Sequence, residues 1–166
     1  MKHTFGLEEK MKKVTVGTYK KDTLYPKVVK ATARILKRSD VICPVEVLLE
    51  MGNLEPKAHE AWYLGQVPYL ERVFQGSLSK ANRILRIIGF HAHDLNMVPS
   101  QHTYRQKGKK ISLRFSKSGN SSLEGAYARH FKWNQSPEKK HILIEKTLSE
   151  KGAAADPKTT TRFSTG

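Results

Sequence analysis

Acidic side chains are scarce in this chain: 15 Asp and Glu stand against 30 Lys and Arg, a formal charge of +15 over 166 residues. A metal-dependent nuclease or hydrolase needs clustered carboxylates for its ion, or a paired acid and base. The most basic stretch, 79–118, offers only Asp94. Cysteine is scarcer still. Cys43 is the single thiol, so no internal disulfide can form and nothing calls for an oxidising compartment. It precedes Pro44 in a loop with no base partner evident in the sequence, and no Ser or Cys nucleophile can be named. Long apolar runs are absent. None approaches the ~18 consecutive residues of a membrane span. The N-terminus, MKHTFGLEEKMKKV, has no apolar run before a small-residue cleavage site, so a secretory signal is not expected and a cytoplasmic location is. Glycine-rich phosphate loops are missing too. Gly108-Lys109-Lys110 lacks the upstream glycine and the following Ser or Thr of a P-loop. No cofactor is implied.

What the chain has in excess is positive charge, unevenly spread. Residues 1–43 carry 11 basic and 4 acidic groups, 44–78 carry 2 and 5, 79–118 carry 9 and 1, and 119–166 carry 8 and 5. Two basic blocks therefore flank an acidic one. An excess of one sign is the electrostatic footprint of a phosphate binder, and a polyphosphate should lie along the basic blocks.

The expected fold is mainly α with a small β-hairpin (α+β). Residues 1–24 are Lys-rich with little periodicity and read as a basic flexible arm, with a short strand at Val14–Thr18. A helical core domain follows over 25–133, and 134–166 read as a marginal helix and a disordered tail. A helix over Pro26–Arg38 gathers Val28, Thr32, Ile35 and Leu36 on one side and Lys27, Lys30, Arg34, Lys37 and Arg38 on the other. Five cations without an acid are unusual on a merely solvated face. Short helices are expected over Val45–Met51, Glu55–Leu64 and Tyr69–Phe74, each bounded by glycine. A long helix capped by Ser77 or Ser79 carries Arg83 and Arg86 on its outer side, and Gly89 should end or loosen it. Around Gly108 the period changes to two residues, which predicts a β-hairpin over 102–116. Ser121-x-x-Glu124 fits a capping box opening one more helix.

That hairpin gathers Arg105, Lys107, Lys109, Lys110, Arg114 and Lys117, with Tyr104 and Phe115 interleaved. A two-stranded ribbon fits the DNA major groove, and an exposed aromatic can stack on an unpaired base. Arg105, Lys109, Lys110 and Arg114 lead the contact candidates. Phe90-His91-Ala92-His93-Asp94, with His102 nearby, is the one candidate metal cluster. On a helix His91 and His93 sit about 200° apart and cannot share an ion. No cysteine pair supports a zinc site there.

Residues 44–74, PVEVLLEMGNLEPKAHEAWYLGQVPYLERVF, read as helix, tight turn, second helix, then Trp62-x-x-Gly65-x-x-Pro68. This segment resembles the helix-turn-helix of excisionase- and MerR-type winged-helix DNA binders. The resemblance implies a winged helix-turn-helix arrangement, with Lys57, His59 or Gln66 placed to read bases. Such a recognition helix should be basic, whereas here Lys57 stands beside Glu55 and Glu60. Trp62 to Arg72 (W-x-x-G-x-V-P-Y-L-E-R) together with Leu113–Gly119 (L-R-F-S-K-S-G) is also similar to a family of uncharacterised bacterial proteins, a likeness that implies no activity.

Three functions compete. The first is a nucleic-acid-binding protein, DNA favoured over RNA, using the basic hairpin and the basic helix face. The second is an adaptor docking a protein partner through Trp62, Tyr63 and Tyr69 of the acidic block, since aromatics concentrate at interface hot spots. The third is a metal-dependent nuclease or hydrolase using His91, His93, Asp94 and His102. No membrane partner is expected.

Overall fold

The computed structural model describes residues 14–149. They form six helices and a three-stranded antiparallel sheet, mainly α with a small β element. Helices α1 (Tyr25–Leu36), α2 (Pro44–Met51), α3 (Pro56–Tyr63) and α6 (Pro137–Leu148) each carry a proline in the first turn, where its missing N–H costs nothing. Gly52, at φ 83°, ends α2 in the left-handed conformation that glycine adopts without strain. Helix α4 (Leu78–Asp94) is capped by the Ser77 side chain, which accepts from the Lys80 N–H. It runs unbroken through Gly89, against expectation. Ile87, Ile88, His91 and Ala92 around that glycine are buried, and this burial outweighs its cost of about 1 kcal/mol. Asn96, at φ 58°, closes α4 by letting the Met97 N–H reach the Ala92 carbonyl at 3.0 Å.

Helix α5 (Ser121–Tyr127) does not open with the expected capping box. Asn120 is its cap, accepting from the Leu123 N–H, and Glu124 points elsewhere. The sheet joins β1 (Val41–Ile42), β2 (Val98–Gln101) and β3 (Arg129–Lys132) in the order β1–β3–β2, with Ile42 and Pro99 both opposite Phe131. Pro99 is tolerated because β2 is an edge strand.

One core serves all these elements. Helix α1 packs against α2, α4 and α6 through Val28, Ala31, Ile35 and Leu36, and Ile84, Ile87 and Ile88 answer from α4. The core begins before α1. Val14, Tyr19 and Leu24 are buried, so the chain is packed from residue 14 onward rather than forming an arm to residue 24. Val14–Thr18 is a turn leading to a 3-10 turn at Tyr19–Lys21, and no strand forms there. The rest of the expected arm, 1–13, and the expected tail after 149 lie outside the described residues.

The expected hairpin over 102–116 is reduced to a short turn. Its only ladder pairing is an isolated bridge between Arg105 and Ser112. The second half peels away because other groups take its backbone. The Leu70 and Glu71 N–H groups donate to the Arg114 and Phe115 carbonyls at 3.1 and 2.9 Å. Glu124 accepts the Phe115 and Ser116 N–H groups, and Glu71 accepts the Lys117 N–H.

Candidate nucleic-acid interface

The turn at 104–113 stands on an aromatic base. Trp62, 1% exposed, donates its indole N–H to the Arg114 carbonyl at 2.8 Å. Tyr104 leans on Trp62 and meets Phe115 edge-on at 5.1 Å, and its hydroxyl bonds His130 Nε2 at 2.7 Å. At the far side the Lys107 N–H donates to the Tyr63 carbonyl at 3.0 Å. Gly65 makes that approach possible. A Cβ on its φ 81° backbone would lie 2.5 Å from the Gln106 side chain. Within the turn, the Gln106 N–H bonds the Ile111 carbonyl and the Leu113 N–H bonds the Tyr104 carbonyl, with Gly108 at φ 69° in the bend. The backbone is thus held at both ends and across its middle.

Four cations ride on this turn: Arg105, Lys107, Lys109 and Lys110. All are exposed, and none has an acidic partner among the described residues. The interleaved aromatics are not available for stacking. Phe115 is 3% exposed and Tyr104 is half-buried.

The other expected contacts divide. Helix α1 is not an acid-free face, because α2 brings acids to it. Arg34 bonds Glu50 at 3.1 Å, and Arg38 reaches Glu50 at 3.1 Å and Glu46 at 3.5 Å. Burial pushes the Glu50 carboxyl up, but the bonds from Arg38 and Arg34 outweigh it and hold the group below its usual range. Lys27, Lys30 and Lys37 make no ion pair with the described acids, Lys30 half-buried and the other two exposed. Arg83 grips Asp22 with two bonds, 3.0 and 2.6 Å, and so ties α4 to the segment before α1. That grip depresses the Asp22 carboxyl. Arg86 donates to the Val14 carbonyl at 2.6 Å. Arg114 folds back onto the Ser116 and Lys117 carbonyls and lies over the Tyr69 ring. Lys117 is exposed beside it. Arg34, Arg38, Arg83, Arg86 and Arg114 therefore have structural roles that compete with phosphate.

The candidate metal cluster does not assemble. His91 is buried edge-on to Tyr25, and burial pushes its imidazole down to about 4. His93 is exposed on another side of α4. Asp94 approaches Lys20 at 3.9 Å. His102 stacks on His130 instead, ring centroids 3.8 Å apart. Among the described residues no three His, Cys, Asp or Glu could hold an ion. Burial also pushes the Cys43 thiol up to about 11, so it stays protonated and makes a poor nucleophile.

The aromatic docking patch loses its centre. Trp62 is core, and Tyr69 is half-buried under Arg114, which leaves Tyr63 at 40% exposure. On α3, Lys57 is exposed beside the exposed Glu60, His59 is half-buried 6.0 Å from Trp62, and Gln66 lies exposed beyond the helix. Among the described residues no helix is long and apolar enough to cross a membrane.

Two carboxylates, Glu71 and Glu124, hold the backbone that supports the turn. Glu71, 7% exposed, accepts the Lys117 N–H at 2.9 Å and the Tyr127 hydroxyl at 2.8 Å. Burial and that bond raise the Tyr127 phenol above its ordinary range. Glu124 accepts two backbone N–H groups and the Ser116 hydroxyl. The signal for Glu124 was the Ser-x-x-Glu spacing read as a cap, while nothing local distinguished Glu71. Compared with protein-family models, curated proteins and solved structures, the chain matches none.

Proposed function

We propose that this protein binds nucleic acid, duplex DNA in preference to RNA, with the 104–113 turn as its principal phosphate contact. The observation that carries the reading is the contrast between this turn and the arginines that acids already hold. Arg34, Arg38 and Arg83 are matched by acids, whereas Arg105, Lys107, Lys109 and Lys110 are exposed, unmatched and mounted on an anchored backbone. An anchored backbone loses little loop entropy on binding, and each neutralised phosphate releases condensed counterions. Lys27, Lys37 and Lys117 add exposed charge elsewhere on the surface. The helix pair α2–α3 contributes little to this reading. Lys57 is its one lysine, and Glu46 and Glu50 are spent on Arg34 and Arg38. The winged helix-turn-helix resemblance therefore supplies, at most, a way of presenting a wing-like turn.

The test is a gel-shift comparison of duplex DNA, single-stranded DNA and RNA, using the full chain and Lys109→Glu/Lys110→Glu. The double variant should lose about tenfold or more in duplex affinity at ~0.1 M salt, because two phosphate contacts become repulsive. Equal binding by both proteins would remove the turn from the function.

A further inference from the structure

Among the described residues, part of one face of α4 is left open beside Val14 and Val16. Asn82, Leu85, Arg86, Gly89, Phe90 and His93 recur at helical spacing along an open groove of about 1190 Å³. The opposite wall is built from α5 and the β2–β3 pair, and Met97, Leu123 and Phe131 line it together with Leu85 and Phe90. The rim is polar and carries one sign of charge. Arg86, Arg129 and His93 line the groove, and among the described residues no Asp or Glu does.

Gly89 is the telling residue. It sits inside a 17-residue helix, where glycine costs backbone entropy that alanine would not. A Cβ placed on it would meet nothing within 4 Å. Among the described residues no packing makes use of its smallness, and the space it leaves opens into the groove. Both arginines are positioned with donors to spare. Arg86 Nε is held by the Val14 carbonyl and Arg129 Nε by Gln101 Oε1 at 3.0 Å, while a guanidinium has five N–H donors in all.

We propose that this groove is a binding site for a small amphipathic anion. Its apolar body lies over Gly89 between Phe90 and Phe131, and its carboxylate, sulfonate or phosphate takes the remaining donors of Arg86 or Arg129. An acid-free rim selects the charge, and the glycine gap admits the body. The site is separate from the 104–113 turn and does not depend on the nucleic-acid reading.

The probe is 8-anilinonaphthalene-1-sulfonate, titrated by fluorescence into the folded full chain. Saturable binding at one site is expected, displaced by decanoate if the natural body is aliphatic or by adenosine monophosphate if it is a nucleotide. A Cβ at position 89 meets nothing within 4 Å, so Gly89→Leu should fold with an unchanged near-ultraviolet spectrum, project into the groove and bind the probe at least about tenfold more weakly, because it takes up the volume the ligand body needs. Arg129→Gln should weaken binding severalfold, and Lys109→Glu/Lys110→Glu should leave it unchanged. No saturable binding by the native chain, displacement by neither competitor, or native affinity in folded Gly89→Leu would each overturn the proposal.

Discussion

His91 shows how one residue ties burial to pH. Its imidazole titrates near 4 in the folded chain, because burial disfavours the cation, against 6.5 when exposed. Between those values the unfolded chain binds a proton that the folded chain refuses. Stability is therefore complete above pH 6.5 and falls as pH drops through 6.5 towards 4, by about 3 kcal/mol from this group. His59 and His130 are shifted down as well, His59 by burial and His130 by burial and by His102, and they add to the loss. Urea unfolding across this window should give a clearly shallower pH dependence for His91→Gln than for the native chain. Gly89 supplies a second test at this scale. Gly89→Ala should raise stability by about 0.5–1 kcal/mol, seen as a thermal midpoint a few degrees higher, because the helix gains and no contact is crowded. Residues such as Gly52 and Ser77 were legible because a cap is a local event. The side-chain bonds of Trp62, Glu71 and Glu124 were not, because they cross 52, 46 and 8 or 9 residues of chain.

Among the elements, α1 to α4 could be read from proline, glycine and helical period. The sheet could not. β1 has two residues, and β2 is wholly exposed and contains Pro99, so neither shows a hydrophobic alternation. Arg129–Lys132 lay in a stretch whose apolar spacing continued that of α5, and only pairing with β1 and β2 makes it a strand. The hairpin failed for the opposite reason. Its alternation of Ile111, Leu113 and Phe115 was genuine, but Phe115 turns into the aromatic core and two carboxylates claim the amides that a partner strand would need. The two sequence elements 62–72 and 113–119 thus form one interlocked unit that carries the turn. Glu124→Ala leaves the buried Phe115 and Ser116 N–H groups without a partner. At about 1–3 kcal/mol for each unsatisfied group, it should destabilise by roughly 2–6 kcal/mol in urea unfolding. A loss below about 0.5 kcal/mol would mean that these bonds do not hold the unit together.

Over the whole molecule, the charge of +15 says that the protein attracts polyanions, and the fold decides which cations are at liberty to meet them. The acidic block did not stay apart from the basic ones, because Glu46 and Glu50 of α2 face α1 and neutralise part of its cationic side. Among the cations that no acid matches, Arg105, Lys107, Lys109 and Lys110 stand together on the turn around Gly108. Its contribution is read most directly from the salt dependence of duplex DNA affinity, measured by fluorescence anisotropy on the full chain between ~50 and ~200 mM salt. If the four turn cations each neutralise one phosphate, log affinity should fall with log salt at a slope of about −3.6. In Lys109→Glu/Lys110→Glu the slope should be shallower by about 2. A slope near zero, or the same slope in both proteins, would contradict the assignment of the turn as the phosphate-binding element.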